Sequence, residues 1–173
     1  MTTALVVVAL VLTVPTLAYA ASYNRFVSDC QQVIDAWAAI DVELQRRHQL
    51  VPKLVDVVRA AAAHERGLLT ELASRNALAA RAPRTAVAQA PLDPPIRDLL
   101  ARVLDLREAY PALNAQQSFV ALQRELATTE DRIAAARRFY NTRVVELNRR
   151  IEAFPSSIVA RRHRIAAADY FEA

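Results

Sequence analysis

His64 and Glu65 are the pair in this chain best suited to chemistry, an imidazole that can give or take a proton beside a carboxylate. Helical spacing turns one of them inward. Glu65 falls on a seam of Leu54, Val58, Ala61, Leu68 and Leu72, and His64 on one drawn through Val57, Ala61 and Leu68. A charge facing a core is costly unless it is partnered, and Arg132, Arg137 and Asn141 are the candidate partners. Two readings stand: a buried switch or ligand site, and a satisfied polar contact that sets helix register. Arg66-Gly67-Leu68 follow the pair, so it is not the His-Glu-x-x-His of a zinc peptidase. No Glu-x-x-His of the di-iron bundles occurs, nor a glycine-rich phosphate loop or a nucleophile elbow. The sole cysteine, Cys30, lies on an apolar stripe and reads as a buried thiol. These patterns predict a non-enzymatic protein with no cofactor and no metal.

Two basic groups are candidates for contact with partners. Arg46, Arg47, His48 and Lys53 read either as a docking surface for an acidic partner or as solvated charges at a helix end. Arg161, Arg162 and Arg164 read either as lipid-headgroup contacts or as a solvated tail. The net charge is +4, and Lys53 is the only lysine among 22 basic residues. Arginines and acids alternate along the chain instead of gathering on one face, which argues against nucleic-acid binding.

The elements that carry these residues are helices. One glycine in 173 residues leaves little material for tight β-turns, and alanine, leucine, arginine and glutamate favour helix. Phe26, Cys30, Val33, Trp37, Ile40 and Leu44 form a heptad seam on a first helix from Ser22 to Gln49. Pro52 is expected to end it and open a second helix running to Arg81. Ala82 to Pro95 is a proline-rich loop, with Asp93 as the cap of a third helix ending near Tyr110-Pro111. A fourth helix runs from Gln116 to Ala153, with Leu122, Leu126, Thr129, Ile133, Ala136, Tyr140, Val144, Leu147, Ile151 and Phe154 on its seam. Trp37, Phe119, Tyr140 and Phe154 are expected in the core. The expected fold is all-α, an antiparallel four-helix bundle over residues 22–155.

Residues 1–21 are read as an N-terminal transmembrane anchor, uncharged from Ala4 to Ala21 and at the lower limit of the roughly 17–25 residues a helical span needs. Ala18-Tyr19-Ala20 also resembles a cleavage site, which leaves a secreted form open. Arg25, Arg46 and Arg47 follow the segment and no basic residue precedes it. The positive-inside tendency then puts the bundle in the cytoplasm, on a single-pass protein. On this layout Arg46–Lys53 and Tyr110–Ala115 lie at the far tip. The proline-rich loop and the basic tail, 156–173, return to the membrane end.

The same residues carry a resemblance. Tyr23-Asn24, Trp37, Ile40-Asp41-Val42, Arg46-Arg47 and Leu50-Val51-Pro52-Lys53-Leu54-Val55 resemble the start of a LemA family domain. His64-Glu65, Tyr110-Pro111-Ala112-Leu113, Phe119, Leu122–Leu126, Glu130–Asn141, Asn148, Phe154-Pro155 and Tyr170-Phe171-Glu172 continue it in order. The resemblance implies a bacterial inner-membrane protein with one membrane helix, a helical bundle and no established enzymatic activity. Some members are encoded beside membrane-embedded zinc peptidases, so it also implies an accessory or scaffold role with an envelope protein, such as a membrane peptidase, as partner. Two departures stand out: Lys53 replaces the usual asparagine, and arginines 161, 162 and 164 replace an apolar stretch before the final Tyr-Phe. The competing reading is a small-ligand sensor or enzyme with a polar site near His64 and Glu65.

Overall fold

The computed structural model describes residues 2–172; the side chains of residues 2, 4–9, 11 and 12 are outside the described set. The chain is all-α, with no strand among the described residues. Helix α1 spans Thr2–Ala61, α2 Arg66–Arg81, α3 Ala86–Gln89, α4 Asp93–Ala109, α5 Pro111–Asn114, α6 Gln117–Glu152 and α7 Ser156–His163. Single 3-10 turns at Ala63–Glu65 and Ala90–Leu92 join α1 to α2 and α3 to α4. The expected anchor rests mostly on residues whose side chains are outside the described set. Among the described residues, no helix is long and apolar enough to cross a membrane.

The largest departure from expectation is that α1 does not stop at Pro52. Ile40, Leu44, Arg47, Val51, Leu54 and Val58 keep one heptad phase across the proline, and all are buried. Stopping the helix would split this stripe, whereas continuing it leaves Pro52 on the exposed side. A proline inside a helix removes the N–H that would bond the carbonyl four residues earlier. That carbonyl belongs to His48, and it accepts a hydrogen bond from Asn76 Nδ2 at 3.1 Å. The chain reverses later, at Ala62, whose φ of −126° and ψ of 61° leave the helical region.

This moves the far tip to Ala62–Glu65, where Tyr110 joins it by donating its hydroxyl to Glu65 Oε1 at 3.2 Å. Arg46–Lys53 lie mid-helix instead. The proline-rich loop is not at the opposite end either. The Trp37 indole donates to the Arg84 carbonyl at 2.8 Å, and Arg84 pairs with Asp41 at 3.5 Å, halfway along α1.

The helices do not close as four equal rods. The backbones of α1 and α6 run together over a long contact; α2 packs on α1 and α4 on α2, while α7 lies across α6 and α1. Two cores result. The distal one joins Leu50–Val58 of α1 to Leu69 and Leu72 of α2, Ile96–Val103 of α4, Leu113, Phe119 and Leu126. The proximal one joins Phe26–Leu44 of α1 to Ile133, Tyr140, Val144 and Leu147 of α6, and is closed by Ala86, Val159, Ala160 and Phe171. Within the expected tail, 156–173, the described residues 156–172 are therefore not free: α7 and Phe171 are part of the proximal core. Phe154 is 83% exposed, contrary to its expected core position, because α6 ends at Glu152 and the seam ends with it.

Candidate functional site

The polar pair expected inside the bundle is dispersed. His64 is exposed and Glu65 half-buried in the tip turn, because the helix break falls just before them. Arg132 is exposed and pairs with Glu43 at 3.5 Å. Arg137 is half-buried on the same helix. Asn141 binds the C-terminal segment. These five residues do not form one contact.

The buried ionic contact lies elsewhere. Arg47, expected on a partner surface, is 1% exposed, and one of its terminal nitrogens approaches Asp93 Oδ1 to 2.6 Å, close but not aligned as a hydrogen bond. The other donates to Glu130 Oε1 at 3.3 Å. Arg97 stands 4.0 Å from Asp93 Oδ2. Asp93 is 3% exposed and does not cap α4; Leu92 occupies the cap position, and Pro94 and Pro95 fill the first turn. The cluster ties α1, α4 and α6 where the two cores meet. Desolvation offsets much of the attraction in such a cluster, so its main effect is to penalise any register that leaves one charge unpaired. The signal that could have located it was the heptad phase itself, which puts Arg47 between Leu44 and Val51.

Two of the other expected surface cations are also engaged. Arg46 pairs with Glu125 at 3.0 Å, half exposed. The His48 ring Nδ1 lies 2.8 Å from Asn76 Oδ1. Because Asn76 Nδ2 is committed to the His48 carbonyl, Oδ1 is left as acceptor and Nδ1 carries the proton. Burial, with Arg47 adding to it and Asn76 opposing, lowers the His48 pKa below its ordinary value. Lys53 is exposed. The basic group therefore does not present a common face.

A second polar arrangement holds the C-terminal segment. Asn148 Nδ2 donates to the Ala168 carbonyl, and the Ala168 N–H donates to Asn148 Oδ1, both at 2.9 Å. Asn141 repeats this with Phe171, at 3.1 Å to its carbonyl and 3.0 Å from its N–H. The Tyr140 hydroxyl donates to the Asp169 carbonyl at 2.8 Å, and burial, then Asp169, raises its pKa. The Phe171 ring is fully buried, edge-on to Trp37 at 5.5 Å between centroids, and Trp37 meets Tyr140 at 5.7 Å. Neither asparagine carries a hydrophobic signal, so periodicity alone could not pair them with the tail.

The α7 end returns to the start of the body, as expected. The Tyr19 hydroxyl lies 2.8 Å from His163 Nε2, and Tyr23 meets the same ring at a tilt, 4.5 Å between centroids. Arg161, Arg162 and Arg164 are exposed there. Among the described residues, no group of three or more His, Cys, Asp or Glu side chains is arranged to hold a metal ion.

No curated relative matches the chain. The model that describes the LemA family matches residues 36–173, a stretch containing the ion cluster, both asparagines and the docked segment, and the chain belongs to that family.

Proposed function

We propose that this chain is a membrane-tethered, non-enzymatic scaffold whose helical body binds another protein of the bacterial envelope. Its N-terminal apolar segment acts as the single membrane anchor and its body faces the cytoplasm. The observation that carries the reading is a collar of exposed apolar side chains at one end. Leu10, Val14, Leu17 and Tyr19 on α1 are 40–68% exposed, and Phe154 before α7 and Ile158 on it are 83% and 50% exposed. Between them lies an open, largely apolar cavity of about 240 Å³ bordered by Pro15, Ala18, Tyr19, Pro155 and Ile158. Exposed apolar surface of this kind suits contact with lipid or protein. His163 of α7 meets Tyr19, and the neighbouring Arg161 and Arg162 are exposed, a placement that suits anionic headgroups. The scaffold part is supported by the pairing of the buried ionic groups with one another across three helices, a structural use of charge.

Alkaline carbonate extraction of native membranes tests the anchor. The full-length chain is expected to stay with the membrane, and its release with residues 1–21 intact overturns that part. Crosslinking in native membranes tests the scaffold part. A specific envelope protein is the expected catch, and the absence of any catch above background overturns it.

A further inference from the structure

We infer that the open cavity between the foot of α1 and α7 is a binding site for one anionic phospholipid, with part of an acyl chain against Ala18, Tyr19 and Ile158 and the phosphate beside Arg162. This rests on the membrane part of the reading above and deepens it, giving the collar a particular lipid and a charge preference.

Size and lining set the apolar half of the ligand. Pro15, Ala18 and Tyr19 of α1 border the cavity with Pro155, Ile158 and Val159, and Ser22 adds a hydroxyl. At about 240 Å³ it is smaller than the roughly 300–1,000 Å³ that encloses a whole small ligand. It therefore suits a section of a chain whose remainder lies outside. Val14, four residues before Ala18 on α1, is 56% exposed and extends the apolar wall. Leaving such a wall to water is unfavourable in proportion to its apolar area.

Charge sets the polar half. The two stretches that border the cavity, 1–28 and 153–168, contain Arg25, Arg161, Arg162 and Arg164 and no carboxylate. Among the described residues, none of the three arginines at the end of α7 is ion-paired, whereas Arg47, Arg84 and Arg150 each meet an acid. Arg162 follows Ile158 by four residues and Val159 by three, so it shares their face of α7, one turn beyond the cavity wall. Tyr19, part of that wall, brings its hydroxyl to within 2.8 Å of His163 Nε2, which ties the α1 side to the same turn. An apolar slot with an unneutralised cation about 5.4 Å beyond it, one helical turn, matches a phospholipid, whose phosphate is joined to its acyl chains through glycerol. A soluble anion has no use for the slot, and a zwitterionic lipid brings its own cation to the arginines.

The test follows lipid binding to the full-length chain in a non-ionic detergent by native mass spectrometry. Phosphatidylglycerol is expected to bind saturably, one per chain, at least tenfold tighter than phosphatidylcholine of the same acyl chains. Arg161→Gln with Arg162→Gln should lower that affinity at least tenfold. Arg59→Gln with Arg66→Gln, an equal loss of charge at the far tip, should change it less than twofold. Ala18→Phe fills the cavity and should weaken both lipids at least tenfold. If Ala18→Phe loses helicity, Ile158→Gln, at an exposed position, takes its place with the same expectation. Equal affinity for the two lipids overturns the inference. So does a cavity variant of wild-type helicity that binds phosphatidylglycerol unchanged. Displacement of the lipid by millimolar glycerol phosphate would assign the arginines to a free phosphate and overturns it too. The absence of a saturable adduct overturns it and leaves the collar to a protein. Failed lipid binding beside retention in carbonate-washed membranes would remove the site and leave the anchor, whereas selective binding by a chain that carbonate releases would keep the site and remove the anchor.

Discussion

The distal and proximal halves bury their apolar faces by different means. At the distal end every major contributor to the core is a helix or a helical turn, and the side chains are mostly Leu, Val and Ile. At the proximal end α1 and α6 have too few helical neighbours, and a short helix, part of the proline-rich loop and a non-helical segment close the core. Aliphatic packing needs only the right stripe. Closing a core with irregular backbone requires each buried N–H and C=O to find a partner, which here comes from asparagine, tyrosine and tryptophan side chains. A helical stripe is thus a local property of sequence, whereas the proximal closure is a long-range one.

Asp93→Ala gives the hardest test of this contrast. It leaves Arg47 buried with Glu130 as its remaining carboxylate, and the loss should reach about 3–5 kcal/mol in urea unfolding. Since the cluster joins the two cores, amide exchange should quicken in both; a change confined to the distal half would mean the cores unfold as separate units.

Asn76→Ala comes next. It orphans the His48 carbonyl that Pro52 leaves free, at about 1–3 kcal/mol. Pro52→Ala restores an N–H at that place, so the double variant should recover part of the loss, with a coupling of about 0.5 kcal/mol or more. Strict additivity would show that the proline and the asparagine do not answer each other.

A smaller effect is set by pH. The folded state lowers the His48 pKa, so below the unfolded value of about 6.5 the unfolded chain binds more protons. Stability should therefore fall as pH drops through about 6.5 and level off once the folded pKa is passed. Subtracting the profile of His48→Gln should isolate this slope, and an identical profile in the variant would remove His48 as its source.

Gly67→Ala should have the smallest effect. Gly67 lies in the first turn of α2, and an added Cβ would meet nothing within 4 Å. The substitution should stabilise the distal half by about 0.4–1 kcal/mol, read as a rise in thermal midpoint. No change, or a loss, would show that α2 is not held as described.

Much of the fold is legible in the sequence. The seams from Phe26 to Leu44 and from Leu126 to Leu147 lie in the cores, and α4 and α6 begin and end within a residue or two of their expected bounds. Pro52 misled because a local rule was set against a longer pattern. The two stripes on either side share one phase, and that phase outweighs a single missing hydrogen bond once Asn76 replaces it. Arg47 departs from expectation because its charge suits a surface while its heptad position, between Leu44 and Val51, points inward. The role of Asn141 was not legible: its partner is backbone, and backbone carries no sequence signature. Phe171 sits in irregular chain, where no period exists to be read.

An unbroken α1 of 60 residues measures about 90 Å at ~1.5 Å per residue. It continues as helix, through Pro15 and Pro52, from the apolar collar at its foot to the reversal at its head. A tilt of about 10° at the foot therefore swings the head through about 15 Å, on the geometry of a rod of that length. The molecule is a lever as much as a strut, and whatever grips its lower end dictates where, and in which direction, the upper end is presented.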